Sequence, residues 1–162
     1  MNVLIIDDES TMTDAISVRL DELSQRGDVI GTVGKYPAND FFRAREYLEQ
    51  KIPFDLIIAD LLMPRRGLGR IPDREPGITL NGWIFLYHYI LKEDAPYYQD
   101  CRETKIIIFS GYREVLQEYL IEKNLIHYWR EKRFTFVDKG HIYNDTGGFD
   151  ALMRTVKQLL QP

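Results

Sequence analysis

Cysteine is almost missing from this chain: Cys101 is the only one among 162 residues. A lone thiol cannot close an internal disulfide, which agrees with a reducing environment, and Cys101 reads as a tolerated surface or boundary thiol. Long apolar runs are absent too, so no segment reads as a membrane span. The first residues lack the basic region and apolar stretch of a signal peptide, which makes the cytoplasm the expected compartment. Neither sign of charge dominates: 21 basic against 25 acidic residues leave −4. There is then no general electrostatic pull toward nucleic acid or an anionic membrane, and DNA contact would need another module. Histidine is scarce, and His88, His127 and His141 show no metal-ligand spacing. Repeats and low-complexity stretches are lacking as well. What remains is an ordinary globular composition, 44% hydrophobic and 28% charged. The length suits one well-buried core, so residues 1–162 are read as one domain.

Five short apolar runs, at 2–6, 28–35, 54–59, 105–109 and 134–138, alternate with segments of helical period at 11–25, 39–51, 81–93, 112–124 and 148–160. Met12, Ala15, Ile16, Leu20 and Leu23 share a face of the first helix, with Ser10 as N-cap and Gly27 just past the end. Phe149, Leu152, Met153, Val156, Leu159 and Leu160 do so in the last, after Asp145 or Thr146 as cap. Strands alternating with single helices require parallel pairing and right-handed crossovers. The fold class expected is therefore α/β, a doubly wound five-stranded parallel sheet; by analogy with that class it takes the flavodoxin-like order 2-1-3-4-5. Two connections are long. Residues 65–80 are rich in arginine, glycine and proline and cannot be a helix. Residues 124–133, with His127, Tyr128, Trp129, Arg130 and Lys132, read as a simple lengthening of the fourth helix.

The polar residues that follow the apolar runs carry the chemistry. Val3–Ile6 leads into Asp7 and Asp8, and Leu56–Ala59 leads into Asp60. Ionised carboxylates can follow buried strands only where the chain surfaces, and parallel strands surface together, so these acids share one crevice that should want a cation. Ser110 follows the fourth run and Lys139 the fifth. Taken singly, each is an ordinary loop residue. Jointly they suit phosphoryl transfer: Mg²⁺ takes hard oxygen ligands, for which Asp8 and Asp60 are placed, and a carboxylate such as Asp60 can be the nucleophile. Lys139 and the Ser110 hydroxyl can then meet the remaining phosphoryl oxygens.

Asp7-Asp8-Glu9 after the first strand and Asp60-Leu61-Leu62-Met63-Pro64 after the third, with Ser110 and Lys139, resemble the receiver domain of two-component response regulators along essentially the whole chain. The resemblance implies that Asp60 accepts a phosphoryl group from a sensor histidine kinase or a histidine phosphotransfer protein, as phosphoacceptor rather than turnover enzyme. It implies Mg²⁺ bound by Asp8, Asp60 and the Leu62 backbone carbonyl, with Asp7 assisting through water. Ser110 takes the role of the family's hydroxyl and Lys139 that of its lysine. Phe136, three before Lys139, falls at the switch aromatic that swings inward when Ser110 is drawn to the phosphoryl group. The expected output is a change of partner on the surface of the fourth helix, fifth strand and last helix: a downstream effector, an effector domain of its own if the chain is part of a longer protein, or a phosphorylation-dependent homodimer. Leu62 and Tyr112 fall where the family tunes access of hydrolytic water, and their bulk implies a long-lived phosphoryl state. Gly140 departs from the family in standing where it usually has proline.

Two other readings stay open. A haloacid-dehalogenase-like phosphohydrolase uses similar groups, but with Asp-x-Asp after the first strand, a spacing that Asp7-Asp8-Glu9 lacks. A receiver-fold scaffold that is never phosphorylated is the other. Arg65, Arg66, Arg70 and Arg74 either close over the phosphoryl group or form a solvated loop with Asp73 and Glu75. Tyr87, Tyr89, Tyr97, Tyr98, Tyr128 and Trp129 read as packing, since no basic groove accompanies them as a stacking platform for bases would require.

Overall fold

The computed structural model describes residues 1–29, 31–69, 80–140 and 147–160. Its centre is a five-stranded sheet in the order β2-β1-β3-β4-β5, with β1 Asn2–Ile6, β2 Gly34–Ala38, β3 Leu56–Ala59, β4 Lys105–Phe109 and β5 Thr135–Val137. All pairings are parallel. This is the doubly wound α/β class and the order that the alternating pattern predicts. The helices are α1 Ser10–Gln25, α2 Phe41–Glu49, α3 Asn81–Leu86 continued by a π-helical turn over Tyr87–Leu91, α4 Arg113–Glu122, α5 His127–Arg130 and α6 Gly147–Leu160.

Side chains alternate across each strand, so the sheet feeds two cores. Leu4, Ile6, Ile57, Ile106 and Ile108 face Phe41, Trp83, Phe85, Leu116 and Leu120 from α2 to α4. Val3, Ile5, Ile58, Ile107 and Phe109 face Met12, Ile16, Leu20, Leu152 and Val156 from α1 and α6. Coverage of both faces is why the strand runs are apolar without a break.

Several boundaries differ from the expectation. The second strand lies at 34–38, not 28–35: Val29 and Val33 are buried but precede it, and Pro37 is accepted because β2 is an edge strand with one ladder to satisfy. Ser10 is the first helical residue of α1 rather than its cap, which is Glu9 without a side-chain bond. Gly27 ends that helix as expected, at φ 71°, with the N–H groups of Gly27 and Asp28 donating to Ser24 and Leu23. Residues 124–133 do not lengthen α4. Asn124, at φ 57°, closes it by the same motif, with Leu125 N–H donating to the Leu120 carbonyl at 2.7 Å, and the separate α5 follows. Cys101 is buried in the first core, not at a boundary, and burial pushes its thiol up to about 11. The caps Asp145 and Thr146, along with His141, lie outside the described residues.

Candidate functional site

Register delivers the polar residues to one end of the sheet. Ile6 pairs with Ala59, Ala59 with Ile108 and Phe109 with Val137, so the next residue on each strand enters the same rim. The ladder continues one step further: Asp60 N–H donates to Ile6 at 2.9 Å, Ser110 N–H to Val137 at 3.2 Å and Lys139 N–H to Ser110 at 3.3 Å. The loops therefore leave the sheet already tied to one another. Asp8, Asp60, Leu62, Ser110, Tyr112 and Lys139 line a cavity of about 890 Å³.

Asp7, Asp8 and Asp60 each present a carboxylate oxygen, all within 4.8 Å of one another. Their exposure is graded: Asp7 is buried, Asp60 half-buried and Asp8 open to the cavity. The ammonium of Lys139 stands 2.7 Å from Asp7 Oδ2 and 2.9 Å from Asp60 Oδ2. Burial disfavours that charge, but Asp60 and Asp7 outweigh it and hold Lys139 above the ordinary lysine range. For Asp7 burial is the largest influence, raising the carboxyl above its usual value against the pull of Lys139. Its Oδ1 also accepts from Glu9 N–H at 3.0 Å. Asp60 Oδ1 accepts from Leu61 N–H at 2.6 Å, which leaves Oδ2 for the ammonium. The Ser110 hydroxyl is buried with no hydrogen-bond partner among the described residues. Such an atom costs about 1–3 kcal/mol unless something else satisfies it.

These residues fit a hard divalent cation. Three oxygen donors crowd one point, like charges at that range repel, and an ammonium already compensates two of them. Asp8 is the carboxylate that Lys139 does not engage.

Two glycines complete the rim, and their spacing in the sequence carries no sign of it. Gly82, at the start of α3, lies so close to the phosphoacceptor candidate that a Cβ there would stand 1.7 Å from the Asp60 carbonyl oxygen. Gly148, at the start of α6, would put a Cβ 2.2 Å from that of Lys139. Each helix start thus seats directly on the backbone of a site residue. Beside Gly82, the buried Asn81 side chain donates to Met63 at 2.5 Å, anchoring the same loop. Gly140 has φ 65°, a conformation closed to proline, and its N–H donates to Asp138 Oδ1 at 2.8 Å.

Not every candidate gathers here. Phe136 points away from the cavity lining toward α5, where its ring stacks on Trp129 at 6.0 Å. Arg66 pairs with Asp40 at 3.5 Å, at the start of α2, and Arg70 and Arg74 lie outside the described residues. The tyrosines pack: Tyr87 against Trp83 and Tyr128, Tyr89 against Tyr97.

No family model matches the chain, and no curated protein matches it in sequence. Solved structures do match in fold. The chemotaxis response regulator CheY4 of Vibrio cholerae is 18% identical, with 98% of each chain covered and a TM-score of 0.59. The response regulator domain of Thermotoga maritima CheB is 16% identical, over 98% of this chain and 92% of that one, at 0.56. The BeF3-activated DrrB receiver domain is 15% identical, over 99% and 97%, at 0.52. The fold of this chain is that of response-regulator receiver domains.

Proposed function

We propose that residues 1–162 form one receiver domain in which Asp60 accepts a phosphoryl group. The observation that carries this reading is the shared crevice: Lys139 bridges Asp7 and Asp60, Asp8 stands beside them, and the unpartnered Ser110 hydroxyl lines the same cavity. Asp60 Oδ attacks the phosphorus of a phosphohistidine on a kinase or phosphotransfer protein. An O–P bond forms as the P–N bond breaks, and the imidazole leaves with the electron pair and takes up a proton from water. Mg²⁺, held by Asp8, Asp60 and the Leu62 carbonyl with Asp7 assisting through water, would neutralise charge on the phosphoryl oxygens. Lys139 gives up its place between the two acids to meet one phosphoryl oxygen, and Ser110 donates to another. The new group adds roughly 1.5–2 negative charges where three carboxylates already sit. Its draw on Ser110 and Phe136 then changes the face formed by α4, β5 and α6 for an effector, a domain of the same protein or a second copy.

Incubation with a small acyl phosphate and Mg²⁺, read by intact mass, tests this. One phosphoryl group per chain is expected, with none on Asp60→Asn. Steady release of phosphate from a phosphomonoester without a labelled chain would instead favour the hydrolase reading. A chain that takes no label and turns nothing over would leave the scaffold.

A further inference from the structure

α5 brings an indole onto the candidate switch residue. The Trp129 ring lies 6.0 Å from that of Phe136 and within 12° of parallel, and it meets Phe134 edge-on at 5.3 Å. From α4, the Arg113 guanidinium stands 5.5 Å above the Trp129 ring and 5.8 Å above that of Phe136. Phe136 is thus held by a parallel ring and a cation from two different elements. α5 itself is pinned at both ends: Asn124 closes the helix before it, and Lys132, at φ 54°, closes α5, with Arg133 N–H donating to Tyr128 at 3.0 Å. Side-chain wells lie about 120° apart, so the ring cannot turn toward Ser110 and keep a parallel neighbour.

Resting on the receiver reading above, we propose that Trp129 and Arg113 are positioning residues for Phe136, and that α5 is a latch which phosphorylation at Asp60 must open. The stack belongs to the resting arrangement, so it opposes any ligand that favours the inward ring. Coupling is reciprocal: a ligand that favours the open latch binds more tightly once the latch is weakened.

The test uses beryllofluoride with Mg²⁺ as a phosphoryl mimic, with affinity measured by calorimetry and tryptophan emission recorded alongside. Trp83 is fully buried but meets Tyr128 of α5 and Phe134, so the Trp129 share of the emission change on binding is the part that disappears in Trp129→Phe. Trp129→Ala should bind the mimic about two- to tenfold more tightly, the equilibrium value of one aromatic pair. Trp129→Phe keeps a ring and should stay near wild type. Arg113→Gln, at an exposed position on α4, should tighten binding in the same direction and serves if Trp129→Ala does not fold. Wild-type affinity in Arg113→Gln and Trp129→Ala, with unchanged emission at saturation, would overturn the latch alone. Failure of the wild-type protein to bind the mimic would overturn the receiver reading and the latch with it.

Discussion

Gly82→Ala should disable the site from outside it. The added Cβ would lie 1.7 Å from the Asp60 carbonyl oxygen, 2.8 Å from its carbon and 3.0 Å from Leu61 Cα, a shortfall of 1.7 Å from the 3.4 Å where ordinary contact begins. All three atoms are backbone, so no side chain can swing clear. The Gly82 N–H also donates to Leu61 at 2.9 Å, and separation of the two segments would stretch that bond. Alanine gains about 1 kcal/mol at most from helix preference. Overpacking of a filled interior costs about 1–3 kcal/mol, and the weakened buried bond adds about 1 kcal/mol. Net destabilisation of about 1–3 kcal/mol should follow, seen as a lower urea midpoint. Function should suffer more than stability, because misplacing a reacting group by about 1 Å can cost on the order of 100-fold in rate. The assay is the rate of label uptake at Asp60 from an acyl phosphate, in urea-free buffer where the variant is folded. A Gly82→Ala protein with the wild-type midpoint and labelling rate would refute the claim that α3 seats the Asp60 backbone.

Mg²⁺ at ten times its dissociation constant should stabilise the protein by about 1.4 kcal/mol, or about 3–6 °C in melting temperature; Asp8→Ala should show no such gain in a thermal melt. Asp7 gives a pH-dependent expectation without metal. Burial raises its folded carboxyl above the unfolded value, so its contribution to stability is full below the unfolded value near 3.9 and is lost as pH rises through the folded one. Asp7→Asn, which does not titrate, should match wild type in acid and exceed it in denaturant midpoint at neutral pH; an equal or lower midpoint at neutral pH would count against a buried, strained carboxylate. Leu62 and Tyr112 line the cavity, and loss of label should therefore be slower than from a chemotaxis receiver measured in parallel, with Tyr112→Ala faster than wild type.

Much of this was readable before any coordinates because the strands that build the site are buried on both faces. β1, β3 and β4 must be continuously apolar, and Asp7, Asp8, Asp60 and Ser110 mark where each run ends, although only Asp8 is exposed while Asp7 and Ser110 stay buried beneath the rim. β2 escaped that logic: an edge strand needs one ladder, so Gly34 and Pro37 look like breakers yet sit within it. The separate α5 was hidden because Asn124 and Lys132 take left-handed backbone where no glycine announces it. Gly82 and Gly148 act through close approach between elements distant in sequence, which no local pattern encodes. The Trp129–Phe136 stack is likewise tertiary, formed between α5 and β5, and the sequence around either residue gives no hint of which ring it will meet.

The central claim is that acids from separate strand ends hold a cation against one oxygen that becomes phosphorylated, and borohydride reduction of the labelled protein reads that oxygen directly. Reduction of an acyl phosphate converts the aspartate to homoserine, which peptide mass spectrometry can locate. Homoserine at position 60, and only when Mg²⁺ was present during labelling, is the result expected. Homoserine at position 7 or 8, or label at position 60 without any divalent cation, would contradict the account.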